Sequence, residues 1–206
     1  MRLRLSAYEV DGEAARQEIE RRFEALRRLI PRFVVGYEQA TVQEQVLHTL
    51  IDRGATVAVA ESCTGGTVAS RFTAIPGASA AFLCGVVSYS NESKQRLLGV
   101  DAGVLACCGA VSEEVARQMA EGIRRVSGAD YAVATTGIAG PTGGTPEKPV
   151  GTVWMAVAAP HGTVARLRQC GTDRGQIVGR ASAYVSGLLR DVLAGTAGSE
   201  GVDRKE

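Results

Sequence analysis

A run of small and reactive side chains at positions 60–66 (AESCTGG) is the part of this sequence best suited to chemistry. It follows a short apolar run at 55–60 (ATVAVA), which is typical of a buried strand. The two glycines allow a tight turn that exposes backbone N–H groups beside Ser62. A hydroxyl on such a strand-to-helix corner is a candidate nucleophile for acyl transfer. The alternative is a turn in which Ser62 only caps a helix.

Lys94 is the candidate base for that hydroxyl. Asn91 is a favourable N-cap residue, which would place Lys94 near the third position of a helix. The helix dipole and partial desolvation both disfavour an ammonium there, so we expect a lowered pKa. A neutral lysine amine can accept the proton of Ser62, as in serine–lysine catalysis. The alternative is an ordinary surface lysine on an amphipathic helix.

A glycine-rich loop bounded by proline, residues 137–149 (GIAGPTGGTPEKP), is a candidate anion site. Its backbone N–H groups suit a phosphate, and Lys148 supplies a counter-charge. The order of residues is not that of a nucleotide-triphosphatase loop. A structural Ω-loop is the competing interpretation. Arg174, just before the last predicted helix, offers a planar cation, and Tyr89 could orient the amine of Lys94.

Composition excludes several classes of function. The chain has 206 residues and a formal net charge of +1, so no overall field favours nucleic acid or a membrane, and we expect a cytoplasmic protein. The five cysteines include no C-x-x-C pair, which argues against a disulfide framework and a zinc site. Only two histidines are present, so a histidine-based triad or metal site is not expected. Cys63 remains a rival nucleophile.

The chain is predicted to form three parts. Residues 1–40 read as a small β-α-β segment with a helix over 13–30, residues 41–194 as the main domain, and residues 195–206 as a disordered tail. The main domain alternates helices and strands and ends in a hairpin and a long helix over 175–193. This order predicts an α/β fold, a three-layer α/β/α arrangement around a mixed, mostly parallel sheet.

The predicted sheet also places the reactive residues. Polar loops follow three of its strands, at 61–66, 88–94 and 135–141. If these strands are parallel neighbours, all three loops lie at the carboxyl edge of the sheet, where α/β folds bind ligands.

Five segments of the chain resemble the C-terminal domain of the CinA (competence/damage-inducible) family. They occur in the family order over roughly residues 41–193: AESCTGG at 60–66, GVVSYSNESK at 85–94, GAVSEEVA at 109–116, TGIAGP at 136–141 and EKPVGTV at 147–153. The resemblance implies a nicotinamide mononucleotide deamidase, which hydrolyses the carboxamide to nicotinate mononucleotide and ammonia.

The resemblance also implies roles for individual residues. Ser62 corresponds to the nucleophile and Lys94 to its partner, with neither metal nor organic cofactor. We expect the oxyanion and the substrate phosphate to be bound by backbone amides and basic side chains drawn from Cys63, Thr64, Gly65, Tyr89, Thr136, Gly137, Gly140, Lys148 and Arg174. The expected partner is the small-molecule substrate, and self-association as a homodimer is expected.

The sequence departs from the family pattern at two positions. Many members have an arginine near the position of Val178, where the nearest candidate here is Arg180, and many have histidine where this chain has Cys108. Residues 2–36 resemble the small segment that precedes this domain in longer members. Those members also carry a domain similar to molybdopterin-binding proteins. The pyrophosphatase activity associated with that domain is not expected of this chain.

Two other functions remain open from the sequence. One is a catalytically inactive nucleotide-binding or regulatory module, whose loops would hold a ligand without turnover. The other is a cysteine-dependent amidase that uses Cys63.

Overall fold

The computed structural model describes residues 12–30 and 41–197. The chain divides into two units at Thr41 and Val42. In the first unit, α1 (Gly12–Leu29) forms where the sequence predicts a helix over 13–30. Ion pairs at i,i+3 and i,i+4, such as Glu18 with Arg21 and Arg22, run along its exposed surface. The two strands predicted on either side of this helix, and the tail beyond residue 197, lie outside the described residues.

The described part of the second unit contains a five-stranded mixed sheet in the order β2-β1-β3-β4-β5. Its strands are β1 (Val57–Glu61), β2 (Phe82–Val87), β3 (Tyr131–Gly137), β4 (Thr152–Ala159) and β5 (Gly162–Gln169). β1 lies between β2 and β3 and is parallel to both, whereas β4 is antiparallel to β3 and to β5. Four of the five strands therefore run in the same direction, although only two of the four strand pairs are parallel, and the sheet is mixed, as predicted.

Helices cover both faces of this sheet and complete the predicted three layers. They are α2 (Val42–Asp52), α3 (Thr67–Thr73), α4 (Asn91–Leu98), α5 (Ala102–Cys108), α6 (Glu113–Ser127) and α7 (Arg174–Leu193), with a 3₁₀ turn at Ala78–Ala80. Buried side chains of α2, α3 and α7 form one core with the sheet. Those of α4, α5 and α6 form a second core on the opposite face.

The alternation of residues along the strands separates the two cores. In β1, Val57 and Val59 face the α2–α3–α7 side, while Ala58 and Ala60 face the α4–α5–α6 side. The same division of valine and alanine occurs in β3 and β4. The alanine face lets α6 lie close to the central strands, and α6 contacts β1, β3, β4 and β5.

The sequence patterns predicted most elements of this unit but not all of them. A helix was expected after the Ser62 turn, but no bounds were predicted for α3, and α5 was not predicted. The predicted hairpin is present, and its two strands are joined by the turn at Pro160 and His161, with Ala159 opposite Gly162. Within residues 12–30 and 41–197, no helix has the length and apolar character needed to cross a bilayer.

Candidate active site

The parallel strands β2, β1 and β3 bring three polar loops to one edge of the sheet, as the sequence predicted. The hydrogen bonds of the sheet continue into these loops. Ser62 N donates to Thr135 O at 3.0 Å, and Ser88 N donates to Glu61 O at 2.8 Å. The residues that follow the three strands therefore have fixed positions relative to one another.

Ser62 and Lys94 are in direct contact at this edge. The Nζ atom of Lys94 lies 3.0 Å from Oγ of Ser62. It also lies 2.8 Å from the carbonyl oxygen of Ser88 and 3.1 Å from that of Tyr89. Lys94 is 1% exposed and Ser62 is 8% exposed, so the contact is almost fully shielded from solvent.

The surroundings of Lys94 favour the neutral amine. Burial lowers the pKa of Lys94, and the smaller effect of Cys63 acts in the opposite direction. In the described part of the chain, no carboxylate forms an ion pair with Lys94 to hold its proton. A neutral amine can donate its two N–H groups to the carbonyls of Ser88 and Tyr89. Its lone pair is then available to accept the hydroxyl hydrogen of Ser62, whose Oγ is 3.0 Å away.

The position of Lys94 in its helix differs from the prediction. Ser90, not Asn91, is the N-cap of α4, and its Oγ accepts a hydrogen bond from Ser93 N at 3.0 Å. Asn91 is the first residue of the helix, which makes Lys94 the fourth rather than the third. The lowered pKa of Lys94 thus has burial as its principal cause.

Glu61 stabilises the strand-to-helix turn that contains Ser62. Its buried carboxylate accepts hydrogen bonds from the backbone N–H groups of Gly66, Val68 and Ala69, at 3.0, 3.1 and 2.8 Å. These groups belong to the start of α3, which has no side-chain cap of its own. No role for Glu61 was predicted from the sequence.

The glycines after Ser62 form the predicted tight turn. Gly65 and Gly66 have φ of 59° and 98°, the left-handed region that side chains disfavour. The N–H group of Gly65 donates to the carbonyl of Ser62 at 3.1 Å, so it already has a role inside the turn. Thr64 is buried, and its Oγ1 lies 2.7 Å from Oγ1 of Thr135.

Cys63 faces the hydrophobic core rather than solvent. Its side chain belongs to the α2–α3–α7 core and is 6% exposed. Burial, with a smaller contribution from Cys170, raises the pKa of the Cys63 thiol to about 12. A thiol in this environment is protonated at neutral pH and is a poor nucleophile.

Arg174 links the loops that follow β2 and β3. Its Nη1 donates to Gly140 O at 2.8 Å and its Nη2 to the hydroxyl of Tyr89 at 3.2 Å. The structure therefore brings together three of the predicted binding residues. Arg180, the other candidate on α7, instead donates to Cys170 O at 3.4 Å.

The remaining predicted residues have structural contacts of their own. Nζ of Lys148 donates to Cys108 O at 2.9 Å, and Oγ1 of Thr136 donates to Ala110 O at 2.7 Å. Gly137 lies so close to the start of β4 that a Cβ atom would be 2.7 Å from the side chain of Val153. Packing alone accounts for the glycine at this position.

Ser88 is a second residue that the sequence analysis did not single out. Its hydroxyl is buried and has no hydrogen-bond partner in the region that the structure describes, although its carbonyl binds Lys94. Buried hydroxyls without a partner are uncommon in native proteins. Among the described residues, no group of three or more histidine, cysteine, aspartate or glutamate side chains is placed to bind a metal ion.

The sequence of this chain is similar to a known protein family. Residues 39–193 match the family model of the CinA C-terminal domain. A CinA-like protein of Anaeromyxobacter sp. (strain K) is 53% identical over 160 residues, which cover 78% of this chain and 39% of that protein. A CinA-like protein of Prochlorococcus marinus (strain MIT 9313) is 45% identical over 195 residues, covering 94% of this chain and 46% of the relative. The chain thus spans less than half the length of these relatives.

Solved structures show the same fold. A CinA superfamily protein from Klebsiella pneumoniae 700603 is 36% identical and aligns with a TM-score of 0.72 over 75% of this chain and 96% of its own. A competence/damage-inducible protein from Agrobacterium tumefaciens is 40% identical, with a TM-score of 0.69 over 74% of this chain and 92% of its own.

Proposed function

This chain belongs to the CinA family, and we propose that it is an amidohydrolase that converts nicotinamide mononucleotide to nicotinate mononucleotide and ammonia. The observation that carries the proposal is the shielded contact of 3.0 Å between Lys94 Nζ and Ser62 Oγ. Amide hydrolysis requires a nucleophile and a group that moves its proton to the leaving amine. This pair supplies both.

In the acylation step, Ser62 Oγ attacks the carboxamide carbon while its proton passes to Lys94 Nζ. The carbonyl π bond opens to an oxyanion. When the oxyanion collapses, the carbon–nitrogen bond breaks and Lys94 gives the proton to the leaving nitrogen, so ammonia departs and a nicotinoyl ester remains on Ser62. The neutral amine is then restored for the second half of the reaction.

In the deacylation step, Lys94 accepts a proton from a water molecule that attacks the ester carbon. Lys94 then returns this proton to Ser62 Oγ as the ester bond breaks, which releases the nicotinate product. The two carbonyls that bind Lys94, those of Ser88 and Tyr89, keep its nitrogen at the same place through both steps.

The oxyanion is assigned to backbone amides of the turn that follows Ser62. The N–H group of Gly65 is already used inside this turn, so those of Cys63 and Thr64 are better suited. The substrate phosphate is assigned to the loop at residues 137–149, where Arg174 contacts Gly140 and offers a planar cation. The proposal requires no metal ion or organic cofactor.

Self-association and location in the cytoplasm are further parts of the proposal. Gel filtration with light scattering measures the first, and a monomer at all concentrations would contradict the homodimer.

The test compares ammonia release from nicotinamide mononucleotide, nicotinamide riboside and nicotinamide by the purified chain. We expect turnover of the mononucleotide, its loss in Ser62→Ala and its retention in Cys63→Ala, since the Cys63 thiol is buried and protonated. Loss in Cys63→Ala alone would instead support a cysteine-dependent amidase. Binding of the mononucleotide without any turnover would support an inactive ligand-binding module.

A further inference from the structure

Two adjacent cysteines at the end of α5 form a pair of thiols outside the proposed active site. Cys107 is exposed and Cys108 is half-buried, and both are free thiols. Their sulfur atoms are 3.0 Å apart. The other cysteines lie elsewhere: Cys63 and Cys170 are buried in the α2–α3–α7 core, and Cys84 is on β2.

The two sulfur atoms differ in their surroundings. The hydrogen bond with Cys107 raises the pKa of Cys108, with burial as a second cause. Glu114 also raises it, while the ammonium of Lys148 acts in the opposite direction. The raised pKa favours the thiol form of Cys108, and the exposed sulfur of Cys107 is the one that meets a reagent from solution.

We propose that Cys107 and Cys108 are a redox modification site, at which a hydroperoxide converts the two thiols to a reversible disulfide between neighbouring residues. The Cys107 sulfur attacks the terminal peroxide oxygen, the O–O bond breaks, and an alcohol or water leaves. The Cys108 sulfur then displaces the oxygen from the resulting sulfenic acid as water. Two thiols and one hydroperoxide give one disulfide, one alcohol or water, and one further water.

Ring closure between Cys107 and Cys108 requires the end of α5 to unwind. Successive Cα atoms are about 3.8 Å apart, below the usual separation of about 4.4–6.8 Å in disulfides, so such a bond is strained and readily reduced. In the middle of a helix, this change of backbone conformation would break helical hydrogen bonds on both sides of the pair. Here α5 ends at Cys108, and Gly109 already leaves the helix with φ 74° and ψ 162°. Both cysteines belong to the last turn of α5, so the peptide between them can rotate with the loss of only the final helical hydrogen bonds.

The pair is also connected to the glycine-rich loop. The carbonyl oxygen of Cys108 accepts a hydrogen bond from Lys148 Nζ. The carbonyl oxygen of Ala110 accepts a hydrogen bond from Thr136 Oγ1. Ring closure moves the Cys108 carbonyl because it belongs to a residue of the ring. The hydrogen bond from Lys148 Nζ to the Cys108 carbonyl is therefore expected to change with the oxidation state of the two thiols.

The experiment uses the full chain, which is treated with hydrogen peroxide. Samples are quenched with catalase at set times and then alkylated. Trypsin cleavage after Arg96 and Arg117 gives one peptide, residues 97–117, that contains both cysteines and no others. We expect this peptide to lose two hydrogens and both alkylation sites, and to recover them after treatment with dithiothreitol. Cys107→Ser and Cys108→Ser should abolish the change, whereas Cys84→Ser should keep it.

Three results would overturn the proposal: oxygen atoms added to Cys107 with Cys108 still alkylated, disulfide-linked pairs of chains, or full alkylation of both sites after peroxide. The readout is the mass of one peptide, so it does not depend on whether the protein hydrolyses nicotinamide mononucleotide. As a second measurement, hydrogen exchange over residues 137–149 should increase on oxidation in the parent chain but not in Cys107→Ser.

Discussion

At the scale of single residues, the chemistry of Lys94 depends on three oxygen atoms and on burial. Its Nζ contacts Ser62 Oγ and the carbonyls of Ser88 and Tyr89, and none of these carries a charge. An ammonium in this place would lose its hydration without gaining a counter-ion. A neutral amine can also make these contacts, by donating to the two carbonyls and accepting from Ser62, and burial shifts the pKa of Lys94 towards this form.

Replacement of Lys94 by arginine tests this assignment. Lys94→Arg keeps the positive charge, but a guanidinium cannot accept a proton near neutral pH. We expect kcat to fall by about 10²–10⁴-fold, the usual contribution of general acid–base catalysis. Arg96→Lys on the exposed side of the same helix is the matched control and should retain activity.

The pH dependence of the parent chain gives an independent check. Lys94 accepts a proton only after it has lost its own, so kcat/KM should rise with pH through an apparent pKa below the ordinary lysine value of 10.5. A profile that is flat from pH 5 to 9 would rule out Lys94 as the base.

The buried hydroxyl of Ser88 leads to a stability prediction. Because it has no hydrogen-bond partner among the described residues, Ser88→Ala removes a desolvated polar group and loses no bond. We expect the free energy of unfolding to stay within about 0.5 kcal/mol of the parent value or to rise by up to about 1 kcal/mol. Urea denaturation measures the change.

Ser112→Ala is the control for Ser88→Ala. Ser112 is also buried, but its Oγ is the N-cap of α6 and accepts from Val115 N at 3.3 Å. Its loss should lower the free energy of unfolding by about 1 kcal/mol. If Ser88→Ala destabilised the chain as much as Ser112→Ala, the Ser88 hydroxyl would have to make a bond that the structure does not show.

The sequence led to Ser62 and Lys94 because each lies in a short polar motif directly after an apolar strand. Neighbouring parallel strands then place such motifs together by topology alone. Glu61 and Ser88 lie in the same motifs and were not singled out. The role of Glu61 depends on where α3 begins, and the burial of Ser88 depends on how the loops pack. Neither property is encoded in a local pattern.

At the scale of elements, the corner that carries Ser62 depends on α3, whose seven residues begin without a local cap. Helices this short are unstable in isolation, so contacts outside the helix must hold it. The carboxylate of Glu61 does so by accepting three N–H bonds from the first turn. The acid therefore connects the end of β1 to the start of α3 across the turn that exposes Ser62.

Glu61→Gln should weaken this connection without changing the size of the side chain. The amide keeps one acceptor oxygen but turns an NH₂ group toward backbone donors, and it carries no charge to favour the helix N-terminus. We expect a loss of about 2–3 kcal/mol in the free energy of unfolding, measured by urea denaturation. Glu92→Gln, in the exposed first turn of α4, should change it by less than about 0.5 kcal/mol.

The two helices without predicted bounds, α3 and α5, are both seven residues long. α3 contains the β-branched residues Thr67, Val68 and Thr73 and takes its cap from an earlier strand, so no start signal precedes it. α5 does carry usable signals, because Asp101 caps it and Gly109 follows it. Its small side chains bury only Leu105, which gives too weak an apolar periodicity to identify a helix.

At the scale of the whole molecule, Lys94 and Ser62 come from opposite faces of the sheet. The helix that carries Lys94 packs on one face, and the helix that follows the Ser62 turn packs on the other. α4 packs on α6 in the second core, whereas α3 packs on α7 in the first. The contact between Lys94 and Ser62 therefore depends on how tightly the α4–α6 layer approaches the sheet. Leu98 marks this approach: its carbonyl accepts a hydrogen bond from Arg125 Nη2 at 2.9 Å and lies against Gly122 of α6.

Gly122→Ala tests whether this close approach positions Lys94. In a helix interior, alanine is favoured over glycine by about 1 kcal/mol, but a Cβ at Gly122 would overlap the carbonyl oxygen of Leu98. α4 and α6 must then separate, and we expect a net loss of about 1–3 kcal/mol in the free energy of unfolding. Because Lys94 lies one helical turn before Leu98, kcat should fall as well.

Gly187→Ala in α7, where a Cβ has no atom within 4 Å, should instead stabilise the chain by about 0.5–1 kcal/mol and leave kcat unchanged. Equal gains in stability for the two variants would show that α4 does not need the close contact with α6.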